Sequence, residues 1–366
     1  MTKARHRNSL VLLMVILAMP ESALADTFLY ISLASEKRIA AYRINEMEGT
    51  LTHQQDVTTL GSPAGMDIDP DGNFLFVALH RPGKLASFRI DAATGELTPA
   101  SAILVKDPPA YVKSDHTGQF LFSAYYGAGK VGVHAVSADG SLSDRAVQWI
   151  HTSPKAHAIM PDPSNRFIFV PHTGPNLIYQ YIFDVGTGRL TPNAFATVST
   201  PKTAEPRHMA FHPILDLAFV VNEKGNSVTS FWFNKNAGTL SGLETVSTIP
   251  DDFTGTSLGA DIELHPNGKF VYASNRGHDS IAGFSINQKT GTITPIGQAQ
   301  TDARPRSFNI EPGGRFLYAA GQATDQLGVY RINQQTGVLT RFASYTVGRG
   351  PRWVQSVRTA EKKPVQ

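Results

Sequence analysis

Asp69-Pro70-Asp71-Gly72-Asn73-Phe74-Leu75-Phe76-Val77 joins a tight-turn signal to a short apolar run of β-favouring residues. Proline fixes the backbone torsion at the start of such a turn, and glycine supplies the left-handed position that closes it. The unit recurs as His265-Pro266-Asn267-Gly268-Lys269-Phe270-Val271-Tyr272-Ala273. The apolar run itself starts at Phe28, Phe74, Phe120, Phe167, Leu217, Phe270 and Phe316, with spacings of 46, 46, 47, 50, 53 and 46 residues. Further along each unit lies a second signal, Gly-x-(Leu/Ile)-(Thr/Ser), from Gly49, Gly95, Gly140, Gly188, Gly238, Gly291 and Gly337. Between the two lies an alternating stretch such as Leu85-Ala86-Ser87-Phe88-Arg89-Ile90.

Each unit therefore holds four short strands, named a to d from the axis outwards. Strand a precedes the Pro-Gly turn, b is the Phe-Leu-Tyr run, c alternates, and d follows Gly-x-Leu-Thr. Four strands per 40–50 residues is the period of a β-propeller. The expected fold is all-β, a seven-bladed propeller of four antiparallel strands per blade. The first unit lacks strand a, and Gly350-Pro351-Arg352-Trp353-Val354-Gln355-Ser356-Val357 copies the strand a segment Glu205-Pro206-Arg207-His208-Met209-Ala210-Phe211. The C-terminal strand is thus expected to complete the first blade and close the ring.

The first 25 residues read as a secretory signal peptide. Lys3, Arg5 and Arg7 precede the apolar run Ser9 to Met19, and Ala23-Leu24-Ala25 ends it with a small-x-small pattern. The run is too short to span a bilayer comfortably. Expected boundaries are 1–25 for the signal, 26–358 for the propeller and 359–366 for a disordered tail, with a periplasmic or secreted product. Losing three cations and one anion with the signal takes the net charge from +3 to +1. Such a balance argues against nucleic-acid binding. Cysteine is absent, so neither a disulfide frame nor a cysteine nucleophile is available.

Strands a and b meet at the Pro-Gly hairpin, so the start of a and the end of b share the opposite rim of the channel. Aligned on strand b, the residues at the start of a are Ala64, Ala110, His157, Arg207, Ala260, Arg306 and Arg352. Those just past b are Ala34, His80, Tyr126, Thr173, Glu223, Arg276 and Gln322. Packing gives a repeat no reason to alternate alanine with arginine at one equivalent place. A cationic sector carrying one carboxylate and one imidazole suits an anionic substrate and negative charge developing on a carbonyl oxygen. Solvated or ion-paired arginines are the alternative reading. His116, His172, His212 and His265 fall at turns or strand ends and are read as structural. Tyr111, Tyr125, Tyr126 and Trp353 are candidate walls, or core. A calcium site from Asn222, Asn275, Asp261 and Glu223 is opposed by the neighbouring arginines.

The segments Ala204-Glu205-Pro206-Arg207-His208-Met209-Ala210-Phe211-His212-Pro213, Val221-Asn222-Glu223, Gly259-Ala260-Asp261-Ile262 and Arg304-Pro305-Arg306-Ser307-Phe308-Asn309 resemble the seven-bladed propeller lactonases. That family includes propeller-type 6-phosphogluconolactonase and the carboxy-muconate lactonizing enzyme. The resemblance runs from Thr27 to about Val357. It implies a catalytic set of His157, Arg207, Glu223 and Arg276, all four of which are among the residues that the rim alignment picks out. It further implies an enzyme that opens or closes a lactone without metal or cofactor, on a small anionic or sugar-lactone substrate. Arg306, Arg352, His80 and Tyr126 are the expected substrate-binding residues. The expected activity is hydrolysis of a sugar-acid lactone by general base catalysis, with Glu223 or His157 as base, in a monomer free of the membrane once the signal is removed. Cycloisomerisation of a muconate-type dicarboxylate and a non-catalytic binding propeller are the alternatives.

Overall fold

The computed structural model describes residues 26–359. The expected signal peptide, 1–25, and residues 360–366 lie outside them. The described residues form twenty-eight strands in seven antiparallel four-stranded sheets. The inner strands of successive blades contact one another around an axis. In the first blade the inner strand is Pro351–Arg358, paired antiparallel with Thr27–Leu33. The chain's last strand therefore closes the ring, as its sequence copy of Glu205 to Phe211 implies. Thr359, placed in the tail by the sequence reading, belongs to the fold instead. It is buried, and its amide donates to the Asp26 carbonyl at 3.0 Å.

The two repeat signals prove to be halves of one contact. Gly95 has a φ of +72°, and a Cβ there would collide with the Phe28 ring of the preceding blade. The Tyr30 hydroxyl donates to the Gly95 carbonyl at 3.0 Å. Gly49 meets Phe316 in the same way, with Tyr318 donating to its carbonyl at 3.0 Å, and this seals the last blade against the first. Gly95→Ala combines a left-handed backbone penalty with overpacking. A loss of roughly 3 kcal/mol in unfolding free energy is expected, measurable by urea denaturation.

The histidines at turns have structural work. His212 accepts the Leu215 amide at Nδ1 (2.8 Å) and places Nε2 2.8 Å from the Gly268 carbonyl in the next blade's turn. His265 repeats that link to Gly314 at 2.6 Å, and His116 to Asp162 at 3.0 Å. His172 is held by the Val170 carbonyl and by Thr152 Oγ1.

Candidate active site

A β-bulge at the start of strand a builds the site. Pro206 faces Asn222 and His208 faces Val221, which leaves Arg207 as the extra residue. Arg306 is extra between Pro305 and Ser307, and Arg352 between Pro351 and Trp353. A bulge re-aims its side chains and leaves the ladder locally unpaired. Here it turns the arginines toward the axis at one rim, where strand b ends with Glu223 and Arg276.

Glu223 is the centre of the group. Its Oε2 lies 3.3 Å from Arg207 Nε and 3.9 Å from His157 Nε2, and its Oε1 lies 3.2 Å from Arg276 Nη2. The loop bearing it is fixed by the backbone, with the Glu223 amide on the Glu205 carbonyl and the Gly259 amide on the Glu223 carbonyl. Arg207 is 1% exposed, and its Nη1 donates to the Ala260 carbonyl. Arg276 Nη2 donates to the Gly259 carbonyl at 3.0 Å. Both guanidiniums are thus held by backbone on one side and by the carboxylate on the other.

His157 is buried, and its amide donates to the Pro171 carbonyl at 3.0 Å. The Tyr126 ring meets it edge-on at 5.4 Å. Burial, then the Arg207 charge, hold its pKa well below the usual imidazole value, so the ring is neutral near pH 7. Its Nδ1 is buried and has no hydrogen-bond partner among the described residues. Burial and the Arg276 charge bring Arg207 down to about 10. Arg306 is also held well below the ordinary arginine value, first by burial and then by the Arg207, Arg352 and Arg276 charges. Neither Arg306 nor Arg352 has a carboxylate within ion-pair distance among the described residues. His80 sits within the field of Arg352 and Arg306, with Nδ1 3.5 Å from the Pro109 carbonyl.

Glu223 thus joins His157, Arg207 and Arg276 in one cluster with Tyr126 against His157, and Arg306, Arg352 and His80 lie within range of its charges. Tyr125 does not join it, being buried in its own blade against Trp149 at 5.3 Å. The oxygen-rich residues weighed as a calcium site are otherwise engaged. Asn222 donates to Ser227 and Thr229, and Asn275 donates to the Thr248 carbonyl and Ser280. Asp261 pairs with His208 at 2.8 Å.

The alignment missed a second layer, one residue beyond the bulge. It comprises Gly65, Tyr111, Ala158, His208, Asp261, Ser307 and Trp353. Tyr111, His208 and Trp353 pack edge-on or tilted at 5.2–5.6 Å and floor the site. The same three side chains line a cavity of about 420 Å³, whose lining also includes Asp67, Lys113, Glu263, Asn309 and Gln355. Reading the aligned repeats one and three residues further along exposes both layers, since each varies around the ring as the arginine layer does.

Comparison with known proteins agrees with this architecture. The model of the family described as "Lactonase, 7-bladed beta-propeller" matches residues 22–108 and 101–356. The 6-phosphogluconolactonase of Yersinia enterocolitica is 34% identical over 209 residues, which is 57% of this chain and 62% of that protein. The Yersinia pestis (strain Pestoides F) 6-phosphogluconolactonase is 34% identical over 216 residues, 59% of this chain and 64% of that one. The chain thus spans a little over three fifths of these curated relatives. The Pseudomonas aeruginosa periplasmic gluconolactonase PpgL superposes with a TM-score of 0.85 at 27% identity, covering 92% of this chain and 100% of its own. A putative 6-phosphogluconolactonase from Bacteroides uniformis gives a TM-score of 0.84 at 26% identity, covering 91% and 100%.

Proposed function

Because the chain belongs to the seven-bladed β-propeller lactonase family, we propose that it hydrolyses the lactone of a sugar acid at the Glu223 rim. The observation that carries this reading is the neutral, buried His157 placed 3.9 Å from a carboxylate held between two arginines. Near pH 7 a neutral imidazole has a free lone pair for a proton, and a carboxylate beside it balances the charge it then gains. His157 removes a proton from water as the water oxygen adds to the lactone carbonyl. Glu223 stabilises the imidazolium so formed. The oxyanion gains its charge among Arg207, Arg276 and Arg306, where burial strengthens the attraction. When the ring C–O bond breaks, the departing oxygen takes the proton back from His157, leaving an open hydroxy acid. Arg306 and Arg352, with no carboxylate paired to them among the described residues, are free to hold the substrate's hydroxyls and to take the carboxylate that forms on ring opening, and Tyr126 and His80 border them.

The curated relatives are named for a phosphorylated lactone, whereas PpgL is described as a periplasmic gluconolactonase. With the signal-like segment at 1–25, the second comparison supports a periplasmic enzyme acting on an unphosphorylated aldonolactone. No helix among the described residues is long and apolar enough to cross a membrane. Purified mature protein is to be assayed with gluconolactone, 6-phosphogluconolactone and a muconate. Turnover of a lactone is expected. Turnover of the muconate alone would replace hydrolysis by cycloisomerisation, and full folding with no turnover would leave a binding propeller.

The pH profile gives a second test. A base must be neutral to act, and burial with the Arg207 charge depresses the His157 pKa. Lowering the pH through about 6.5, where an ordinary histidine protonates, should therefore leave kcat/KM unchanged. The acid limb is expected only below that value. A limb centred at 6.5 or above excludes His157 as the base.

A further inference from the structure

Resting on the hydrolytic reading, we propose that Asp261 and His208 are positioning residues, which together form a rigid shelf for the Arg207 guanidinium and the His157 ring. His208 follows Arg207 in the same bulge, so both side chains enter the channel, one beneath the other. Its Nδ1 lies 2.8 Å from Asp261 Oδ1, and both residues are buried. Asp261 is itself anchored by two blades. Its amide donates to Ser274 Oγ at 3.0 Å, and its carboxylate accepts the Ile262 amide at 3.1 Å and the Phe308 amide at 3.4 Å. An imidazole that donates Nδ1–H to a fixed carboxylate has one tautomer and one ring plane.

Arg207 Nη1 lies 3.3 Å from His208 Nδ1 and 3.2 Å from Nε2. Both nitrogens flank Cε1, and an atom in the ring plane at these distances from each would overlap that carbon, so the cation lies over the ring face and not at its edge. Such contact is attractive only while the ring is neutral. Burial and the Arg207 charge keep it so, with the His208 pKa lowered to about 4. The His157 ring meets His208 at 5.1 Å with an interplanar angle of 67°. Tyr111 at 5.2 Å and Trp353 at 5.6 Å prevent the shelf from tilting. Glu223 therefore holds Arg207 from the side and His208 holds it from below.

The test compares Asp261→Asn with the double variant His208→Phe/Asp261→Asn on the lactone that the wild type turns over. Asparagine no longer presents a charged acceptor, so the imidazole tautomer and plane are released. A displacement near 1 Å is enough to cost roughly 10–100-fold in kcat, and KM should stay within about threefold because Arg306 and Arg352 are untouched. Phenylalanine restores a neutral aromatic face that needs no hydrogen bond, so the double variant should recover kcat to within a few-fold of wild type. An unchanged kcat in Asp261→Asn overturns the proposal, as does a folded double variant no better than the single. Independently of any substrate, ¹⁵N NMR of wild-type His208 should show the neutral Nδ1–H tautomer. An Nε2–H tautomer or an imidazolium at pH 7 overturns the shelf even if lactone hydrolysis is established. Absence of lactone turnover with the Nδ1–H tautomer present would sink the hydrolytic reading and leave the shelf standing.

Discussion

Glu223→Gln is expected to lower kcat/KM for lactone opening by about 10³-fold, within the range of losing a proton-transfer partner together with a charge contact. The substitution keeps the shape and removes the charge. His157 then has no anion within reach to stabilise its imidazolium, and the ring is already reluctant to protonate because it is buried beside Arg207. Arg207 and Arg276 lose the acceptor at 3.3 and 3.2 Å that sets their side-chain planes. Four guanidiniums, from Arg207, Arg276, Arg306 and Arg352, would then crowd one rim without a carboxylate between them. Steady-state kinetics on a variant with an unaltered circular dichroism spectrum measures the effect. Activity within tenfold of wild type would show that the carboxylate does not serve the proton transfer.

Ending the chain at Gly350 should abolish cooperative folding. The deletion removes Pro351–Arg358, which pairs along the whole of Thr27–Leu33, a strand whose seven residues are all buried. It also removes Val354 and Val357 from two core clusters, and Trp353 from the floor of the site. An unpaired apolar edge of that length is an aggregation site. The loss exceeds what a domain with roughly 5–15 kcal/mol of stability can absorb. Size-exclusion chromatography and thermal melting should show aggregates and no sharp transition. A soluble protein with a single cooperative melt would mean that the first blade does not depend on its C-terminal strand.

The fold was legible because a blade repeats its own solution. Turn, strand and glycine recur at one period, and the absence of strand a from the first unit locates its replacement at the other terminus. Less visible was that the Phe of one blade and the Gly of the next are a single contact, since a repeat aligned to itself shows both signals but not which copies meet. The rim residues were legible for the opposite reason: His157, Arg207 and Arg306 break a pattern that packing would keep uniform. The floor was hidden by the bulge. In a regular strand, alternation sends His208 away from the channel if Arg207 faces it. The extra residue allows both to face the axis, so stopping at Arg207 left out His208 and left Asp261 to be weighed as a calcium ligand. The arginines' division of labour was equally hidden, because only coordinates show that two of them hold Glu223 while Arg306 and Arg352 have no such partner among the described residues.

The hydrogen bond from Thr359 to Asp26 has a consequence for how the gene can be cut. With the two ends of the fold in contact, a short Gly-Ser bridge between residues 359 and 26 makes the propeller topologically circular. New termini can then be opened at any exposed inter-blade connection. Residues 251–256, where most positions are exposed, are the natural place. A permutant starting there would have every blade formed from one continuous stretch of chain, with none shared between the two termini, yet would bring the same rim residues to the same mouth, as circular permutation at exposed loop tips generally allows.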